Sequence, residues 1–311
     1  PIFPKNAYEL THLSGRWGYE YQPNVTKLTQ GLKTLQTKDL RSYGSSFFAI
    51  RPEGEQEETC GEVWFGTLQY SGNWRVDLEK FAPGELQTTC GINFWDQSLV
   101  LKPGKSFTTP KMIIGYSARG MEGASQSLAS YTREKVLYPS HRDQVRPVLY
   151  NSWYATTFDV NEEHQLALAK IAKELGVEIF VIDDGWFKGR DDDKGGLGDW
   201  TVDKKKFPNG LQPMIEKIND LGLDFGIWIE PEMVNPNSDL YRRHPDWVFH
   251  YPNRTRHETR NQLMLNLARE DVYQYLYTSF STLLRENNIK FIKWDMNRGV
   301  TEPGFLSAPT D

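Results

Sequence analysis

The spacing of apolar and polar residues changes about 140 residues into the chain. Before that point, short alternating runs such as FFAIR at 47–51 and EVWFGTLQY at 62–70 are separated by turn-forming residues, as is typical of antiparallel strands. Ser71-Gly72-Asn73 predicts a hairpin between 62–70 and the run at 74–78, and Lys102-Pro103-Gly104-Lys105 predicts a second tight turn. We predict an antiparallel β-sandwich over residues 1–120 and a connecting helix over residues 121–141.

From residue 142 onward, apolar strands alternate with segments of helical period. The strands are predicted at 146–154 (RPVLYNSWY), 178–186 (EIFVIDDGW), 224–232 (DFGIWIEPE) and 289–297 (IKFIKWDMN). Apolar residues recur every three to four positions at 168–175, 215–221 and 272–283, and Gly176 and Gly222 stand where the first two helices would end. This alternation predicts a (β/α)8 TIM barrel. A doubly wound sheet has the same alternation, but the glycine-rich loop that usually follows its first strand is missing after Tyr150.

Polar side chains gather where these predicted strands end. Lys293, Asp295 and Asn297 lie two residues apart, so on a strand they share one face. Asp183 and Asp184 close the strand at 178–186, and Glu230 and Glu232 close the one at 224–232. In a barrel all of these residues belong to the catalytic face. A carboxylate surrounded by hydrogen-bond donors suits chemistry at the anomeric carbon of a sugar.

Composition narrows the class of protein further. A length of 311 residues is sufficient for two domains. The net charge of -5, with basic residues interspersed among acids, argues against a nucleic-acid partner, and no segment reads as a membrane span or a signal peptide. Cys60 and Cys90 imply no disulfide framework, although one bridge within the sandwich is compatible with the sequence. The compartment stays open between cytoplasmic, secreted and periplasmic.

Several motifs together resemble one enzyme family, the α-galactosidases (melibiases) of glycoside hydrolase family 36. They are NSWYATTFDV at 151–160, FVIDDGWF at 180–187, GDW at 198–200, FPNGL at 207–211, GIWIEPEMV at 226–234, RNQLMLNLAR at 260–269 and KWDMNR at 293–298. The resemblance is nearly continuous from residue 142 onward. Residues 1–120 resemble the latter part of that family's N-terminal β-sandwich domain.

The resemblance implies a retaining hydrolase that removes terminal α-linked galactose from sugars such as melibiose and raffinose through a covalent galactosyl-aspartate. The implied nucleophile is Asp295. The implied galactose-binding residues are Trp153, Asp183, Asp184, Trp228, Arg260, Lys293 and Asn297. The aspartate pair would accept hydrogen bonds from the hydroxyls at C4 and C6, Arg260 and Lys293 would place positive charge near Asp295, and the tryptophans would wall the pocket. No metal or organic cofactor is implied.

A retaining mechanism also requires a second carboxyl group as acid and base. The resemblance implies an aspartate on a later barrel strand, beyond Asp311. Because the sequence stops shortly after what we count as the fifth strand, we expect the chain to be a fragment of a longer enzyme with an incomplete barrel. Glu230 and Glu232 are the nearest rivals for this role, and we expect them to be structural instead. The acidic run at 190–194 is expected to be a solvated loop, and residues 198–200 are candidates to line the pocket.

Three other interpretations remain open at this stage. Galactosyl transfer, as in raffinose-type synthases, uses the same chemistry with a sugar as acceptor, and N-acetylgalactosamine is an alternative substrate. The chain taken alone is also compatible with a non-catalytic galactose-binding or structural fragment. Family members often form oligomers in which one subunit's sandwich borders another's pocket, so the resemblance also implies a possible homo-oligomer.

Overall fold

A computed structural model describes residues 7–54, 58–81, 85–95, 98–251, 254–301 and 304 of the protein. The chain divides into two compact units, Pro1–Gln144 and Val145–Asp311. No helix in the described ranges is long and apolar enough to cross a membrane.

The described residues of the first unit form eight antiparallel strands in two sheets. The strands are β1 (Tyr8–Arg16), β2 (Tyr19–Lys27), β3 (Gly31–Gln36), β4 (Phe48–Pro52), β5 (Val63–Gln69), β6 (Trp74–Lys80), β7 (Leu86–Ile92) and β8 (Lys111–Ser117). One sheet has the order β2-β1-β4-β5-β8 and the other the order β3-β6-β7. Apolar side chains from both sheets, including Leu10, Ile50, Val76 and Leu78, form one buried cluster. The predicted β-sandwich is therefore confirmed.

The predicted hairpin at Ser71-Gly72-Asn73 is wrong, although the strands on either side of it exist. β5 pairs with β4 and β8, whereas β6 pairs with β3 and β7, so this turn carries the chain from one sheet to the other. Leu68 and Val76 belong to the same core cluster. Because strands on opposite sides of a shared core bury alternate residues just as hairpin partners do, the sequence pattern does not separate the two arrangements.

The other predicted turn and the predicted helix are both present. The N–H of Lys105 donates to the carbonyl of Lys102 at 3.0 Å, and Gly104 between them has a positive φ of 76°. Helix α1 (Gly120–Tyr131) continues into a π-helical turn (Thr132–Val136). Ala124 packs α1 onto β4 and β5, so this helix covers the sheet in addition to leading out of it. No disulfide joins Cys60 and Cys90.

The second unit contains a sheet of four parallel strands. They are β9 (Leu149–Asn151), β10 (Ile179–Ile182), β11 (Asp224–Ile229) and, after a small antiparallel pair, β14 (Phe291–Trp294). The antiparallel pair is β12 (Met233–Val234) with β13 (Leu263–Met264). The order β14-β11-β10-β9 follows the chain without reversal. A doubly wound sheet reverses at its switch point, so this order is that of a barrel.

Helices connect these strands. They are α2 (Trp153–Thr156), α3 (Glu162–Glu174), α4 (Gln212–Asp220), α5 (Asp239–Arg243) and α6 (Glu270–Glu286). Asn161 caps α3 by accepting the N–H of His164 at 2.9 Å. Gly176 and Gly222 follow α3 and α4 with φ of 83° and 76°, as predicted for residues that end helices.

Two details of the predicted barrel differ from the structure. The described residues contain four parallel strands, one at each of the four runs predicted above, so the count of five strands is wrong. Each strand is also shorter than its apolar run, and Trp153, predicted within the first strand, begins a short helix. Burial continues beyond the ladder at residues 183–186 and at Glu230, whereas Tyr154 at the end of the first run is exposed.

The close packing of the central strand generates a prediction at Gly226, in β11. A methyl group there would lie 2.9 Å from Cγ2 of Val181 and 3.1 Å from both Cβ and the carbonyl oxygen of Phe291. Since the two neighbouring strands restrict relaxation, Gly226→Ala is expected to lower the free energy of unfolding of the second unit by about 1–3 kcal/mol, measured by urea denaturation.

Gly91 in β7 is the matched control for this substitution. A methyl group built there meets no described atom within 4 Å. Gly91→Ala is expected to leave the first unit unchanged or to stabilise it by about 0.5 kcal/mol through the unfolded state. Equal effects of the two substitutions would contradict the packing argument.

Candidate active site

Asp295 lies immediately beyond β14 and is held by three donors. The ladder with β11 continues past the strand, because the N–H of Asp295 donates to the carbonyl of Ile229 at 2.8 Å. The indole N–H of Trp228 and the side-chain amide of Asn297 donate to Oδ2 of Asp295 at 3.1 and 2.7 Å. The N–H of Met296 donates to Oδ1 at 3.0 Å. The carboxylate is half-buried and fixed in orientation.

Asp183, at the end of β10, is the second fixed carboxylate. Its Oδ2 accepts hydrogen bonds from the ammonium of Lys293 at 2.6 Å and from the side chain of Asn151 at 2.5 Å. Its Oδ1 accepts the N–H of Asp184 at 2.9 Å, and its own N–H donates to Oγ of Ser152. Asp183 is only 2% exposed, so these donors compensate a buried charge. The two side-chain donors come from opposite sides of β10: Asn151 from the adjacent strand β9, and Lys293 from β14, which lies beyond β11.

Asp184 is paired with Arg190. The guanidinium donates to Oδ1 at 2.9 Å and to Oδ2 at 2.7 Å, and Arg190 is 1% exposed. Burial raises the pKa of Asp184, whereas the bidentate contact with Arg190 opposes that rise. Arg190 is itself held by the carbonyl of Gly195 and the side chain of Asn235, both at 3.1 Å. The prediction that 190–194 is a solvated loop is wrong for Arg190, although Asp191, Asp192 and Lys194 are exposed.

The other predicted sugar-binding residues, Trp228, Trp153 and Arg260, differ in how deeply they are buried and in what they contact. Trp228 is 1% exposed and stacks against Phe187 with ring centroids 6.3 Å apart, so its contribution at Asp295 is its N–H. Trp153 is half-buried and meets Phe158 edge to face. Arg260 is exposed, has a left-handed φ of 55° and makes no side-chain hydrogen bond within the described residues. Of the two cations predicted to bind the sugar, Lys293 and Arg260, only Lys293 forms an ion pair with a site carboxylate in the described residues, and that carboxylate is Asp183.

Glu230 and Glu232 are both engaged by protein donors. Glu230 is fully buried and accepts the backbone N–H of Asn297 and the side-chain amide of Gln262. Burial raises the pKa of Glu230 to about 7, and the negative charge of Asp295 acts in the same direction. Glu232 accepts the indole N–H of Trp294 at 2.9 Å, and burial also raises its pKa.

The motif at 198–200 stabilises loops around the site through hydrogen bonds and aromatic contacts. The carboxylate of Asp199 accepts the N–H groups of Asp239 and Leu240 at 2.7 and 2.8 Å, at the beginning of α5. Burial raises the pKa of Asp199. Trp200 packs among aromatic rings, with Phe187 and Phe280 at 4.9 and 5.2 Å. Both residues support the loops that follow β10 and β11.

Sequence reasoning missed four residues whose side chains form hydrogen bonds with Asp183, Asp184 or Glu230. They are Asn151, Ser152, Arg190 and Gln262. Asn151 and Ser152 end the first strand just as Asp183 ends the second, so their position was a usable signal. Arg190 and Gln262 lie in loops, where the sequence contains no periodicity to indicate burial. Within the described residues no group of three or more His, Cys, Asp or Glu side chains is arranged to hold a metal ion.

Comparisons with known proteins agree on one family. The Melibiase family model matches residues 106–311, and the model for the glycosyl hydrolase family 36 N-terminal domain matches residues 2–102. Over 99% of this chain's length, the sequence is 43% identical to the α-galactosidase AgaA of Geobacillus stearothermophilus. Over 96% of this chain's length, it is 38% identical to an α-galactosidase of Escherichia coli. It spans 42% of the length of each of these two relatives.

Solved structures give the same result. The crystal structure of AgaA from Geobacillus stearothermophilus has a TM-score of 0.95, with 99% of this chain and 43% of that chain covered. A variant of AgaA in complex with raffinose has the same TM-score at 42% identity. Since the Melibiase model alone matches more than half of the residues, the chain belongs to the melibiase family of glycoside hydrolases, family 36.

Proposed function

We propose that this chain carries the nucleophile and the galactose-recognition residues of a retaining α-galactosidase that hydrolyses terminal α-linked galactose from raffinose-type oligosaccharides. The observation that supports this most directly is the carboxylate of Asp295, half-buried, fixed by Trp228 and Asn297, and set at the strand end beside the Asp183–Lys293 pair. The similarity to AgaA, which has been solved with raffinose, supports the substrate class.

In this mechanism Asp295 attacks the anomeric carbon. A bond forms between a carboxylate oxygen and that carbon while the bond to the departing oxygen breaks, and the departing oxygen takes a proton from a second carboxyl group. Water then cleaves the galactosyl-aspartate, and the second carboxyl group accepts its proton. Because Trp228 and Asn297 both bind Oδ2, they fix the rotation of the carboxylate before attack.

Neither glutamate at the end of β11 is suited to be the second carboxyl group. Glu230 has no exposed surface, and both of its oxygens already accept hydrogen bonds. Glu232 is bound by the indole N–H of Trp294. We propose that an aspartate on a later barrel strand supplies the acid and base, as the family resemblance implies.

The aspartate pair is suited to recognise two hydroxyl groups. A carboxylate has about four acceptor sites. At Asp183 three are used by Lys293, Asn151 and the N–H of Asp184. At Asp184 two are used by the contacts from Arg190. Each carboxylate therefore has at least one acceptor site that no described donor uses, and we propose that these sites bind the hydroxyls at C4 and C6 of galactose.

Covalent labelling tests the nucleophile. The protein incubated with an activated 2-fluoro-α-galactosyl donor is expected to gain one sugar, mapped by peptide mass spectrometry to Asp295, because a good leaving group needs no acid. Asp295→Asn is the control and is expected to remain unlabelled. Labelling at another residue, or none in a protein that binds galactose, would reject Asp295. Adding sucrose during turnover of raffinose would show, from the products, whether transfer competes with hydrolysis.

Recognition at C4 is tested at Asp183. Asp183→Asn replaces an acceptor with a donor that faces Lys293 and Asn151, so kcat/KM for an α-galactoside is expected to fall by about 10²-fold or more. The preference for the galactoside over the matching α-glucoside should fall as well. Asp220→Asn, at the exposed end of α4, is the charge-matched control and should leave both values unchanged. Retained preference in the Asp183 variant would contradict the assignment.

A further inference from the structure

Glu230 connects three parts of the candidate site. It follows β11 directly and is fully buried. One carboxylate oxygen accepts the backbone N–H of Asn297, in the loop after β14. The other accepts the side-chain amide of Gln262 at 3.0 Å, in the loop before β13. A single side chain therefore joins the strand end to two loops, which carry Arg260 and Asn297, two of the residues predicted to contact the sugar.

The loop that contains Gln262 has an unusual backbone conformation. Arg260 and Asn261 have φ of 55° and 57°, the left-handed region that is costly for residues other than glycine. The loop is closed by backbone hydrogen bonds between Thr259 and Gln262. Asn235 binds the carbonyl of Asn261 at 2.7 Å, and Arg298 binds that of Gln262 at 2.9 Å. Such a conformation persists only where the surroundings determine it, and Glu230 is the anionic part of those surroundings.

The loop after β14 is also hydrogen-bonded to Glu230. The N–H of Asn297 binds Glu230, while the side chain of Asn297 binds Oδ2 of Asp295 at 2.7 Å. The position of Glu230 is thereby transmitted through one residue to the carboxylate of Asp295. The partners of Glu230 are both donors, so the anion is the form that satisfies them.

The geometry points to Glu230, together with Gln262, as a positioning residue that sets the Arg260 loop and the Asp295–Asn297 loop in one common arrangement. Glu230 contacts neither substrate nor reacting atoms, since no part of it is exposed. The inference rests on the proposed function in so far as Asp295 is the nucleophile and Arg260 a sugar ligand.

The Glu230–Gln262 pair has the chemistry to hold a proton as well. Burial raises the pKa of Glu230 to about 7, with Asp295 acting in the same direction and the N–H of Asn297 and the charge of Arg190 opposing it. The Oε1 atom of Gln262 is buried without a hydrogen-bond partner in the described residues. Rotation of the Gln262 amide by a half-turn would let Oε1 accept the proton of a neutral Glu230. The contact between Glu230 and Gln262 is thus available in both protonation states.

Removing the polar atoms of Glu230 provides the sharpest test. Glu230→Leu loses both contacts. Glu230→Gln is the control that keeps both, because its carbonyl accepts from the N–H of Asn297 and its NH2 donates to Oε1 of Gln262 once that amide has turned. The backbone amide proton of Asn297 is expected to exchange at least about tenfold faster in Glu230→Leu and to stay protected in Glu230→Gln. Labelling of Asp295 should slow by about 10²-fold in Glu230→Leu and recover in Glu230→Gln.

A second substitution separates the two contacts. Gln262→Met removes the donor to one oxygen and leaves Glu230 in place. Exchange should quicken at the backbone N–H of residue 262, which closes the loop on Thr259, while the backbone N–H of Asn297 stays protected. Near-UV circular dichroism checks that each variant is folded. Unchanged exchange in Glu230→Leu, or a Glu230→Gln variant as impaired as Glu230→Leu, overturns the inference.

The change of Tm with pH is a further test. If Glu230 only filled space and did not titrate, replacing it would not alter this change. A carboxyl whose pKa is near 7 when folded and near 4.5 when unfolded binds its proton more tightly in the folded state. Its contribution to stability is therefore lost as pH rises from about 4.5 to 7. The fall in Tm over this range should be smaller in Glu230→Gln than in the wild type. If amide hydrogen exchange follows the prediction but Asp295 is not labelled in any variant, the proposed function is rejected. The role of Glu230 in joining the two loops would still hold.

Discussion

The second unit depends on carboxylates that are stable at the ends of parallel strands only because fixed donors face them. Asp183, Asp184 and Glu230 are almost completely removed from water, and each accepts at least two hydrogen bonds from the protein. A buried carboxylate without such partners becomes protonated or destabilises the fold. The requirement explains why asparagine, lysine, arginine and glutamine side chains converge there, and why the loops between strands are ordered around them. The apolar core beneath supplies the rigid support, through the parallel ladder of β9, β10, β11 and β14.

The sequence contained enough information for the fold class and for the carboxylates. Alternation at period 2 before residue 120 and at mixed periods after residue 142 reflects which faces are buried, and burial follows directly from the architecture. Asp183 and Asp295 stand at strand ends, so their convergence follows from parallel pairing. The structure brings them together through Lys293 and β11, as expected for residues on one face of a barrel.

The parts that sequence reasoning missed depend on tertiary contacts without a local signature. The turn at residues 71–73 joins two sheets, and a hairpin would have the same pattern of apolar residues. Arg190 lies beside three aspartates, which suggests solvent, yet it is buried because Asp184 requires a bidentate partner. Lys293 was expected to act on Asp295, but its ammonium is 2.6 Å from Asp183. Which of two nearby carboxylates a cation selects is decided by sub-ångström placement, and spacing along the chain does not record it.

The Lys293–Asp183 contact has a consequence for engineering. Lys293 and Asp295 stand two residues apart at the end of β14, whereas Asp183 belongs to β10, with β11 between them. The ammonium that binds Asp183 therefore lies in the same short segment as Asp295, the proposed nucleophile. A substitution at Asp183 alone would leave the ammonium of Lys293 and the side-chain amide of Asn151 without their acceptor. Under the proposed function, a redesign toward a different epimer therefore requires coordinated replacement of Asn151, Asp183 and Lys293.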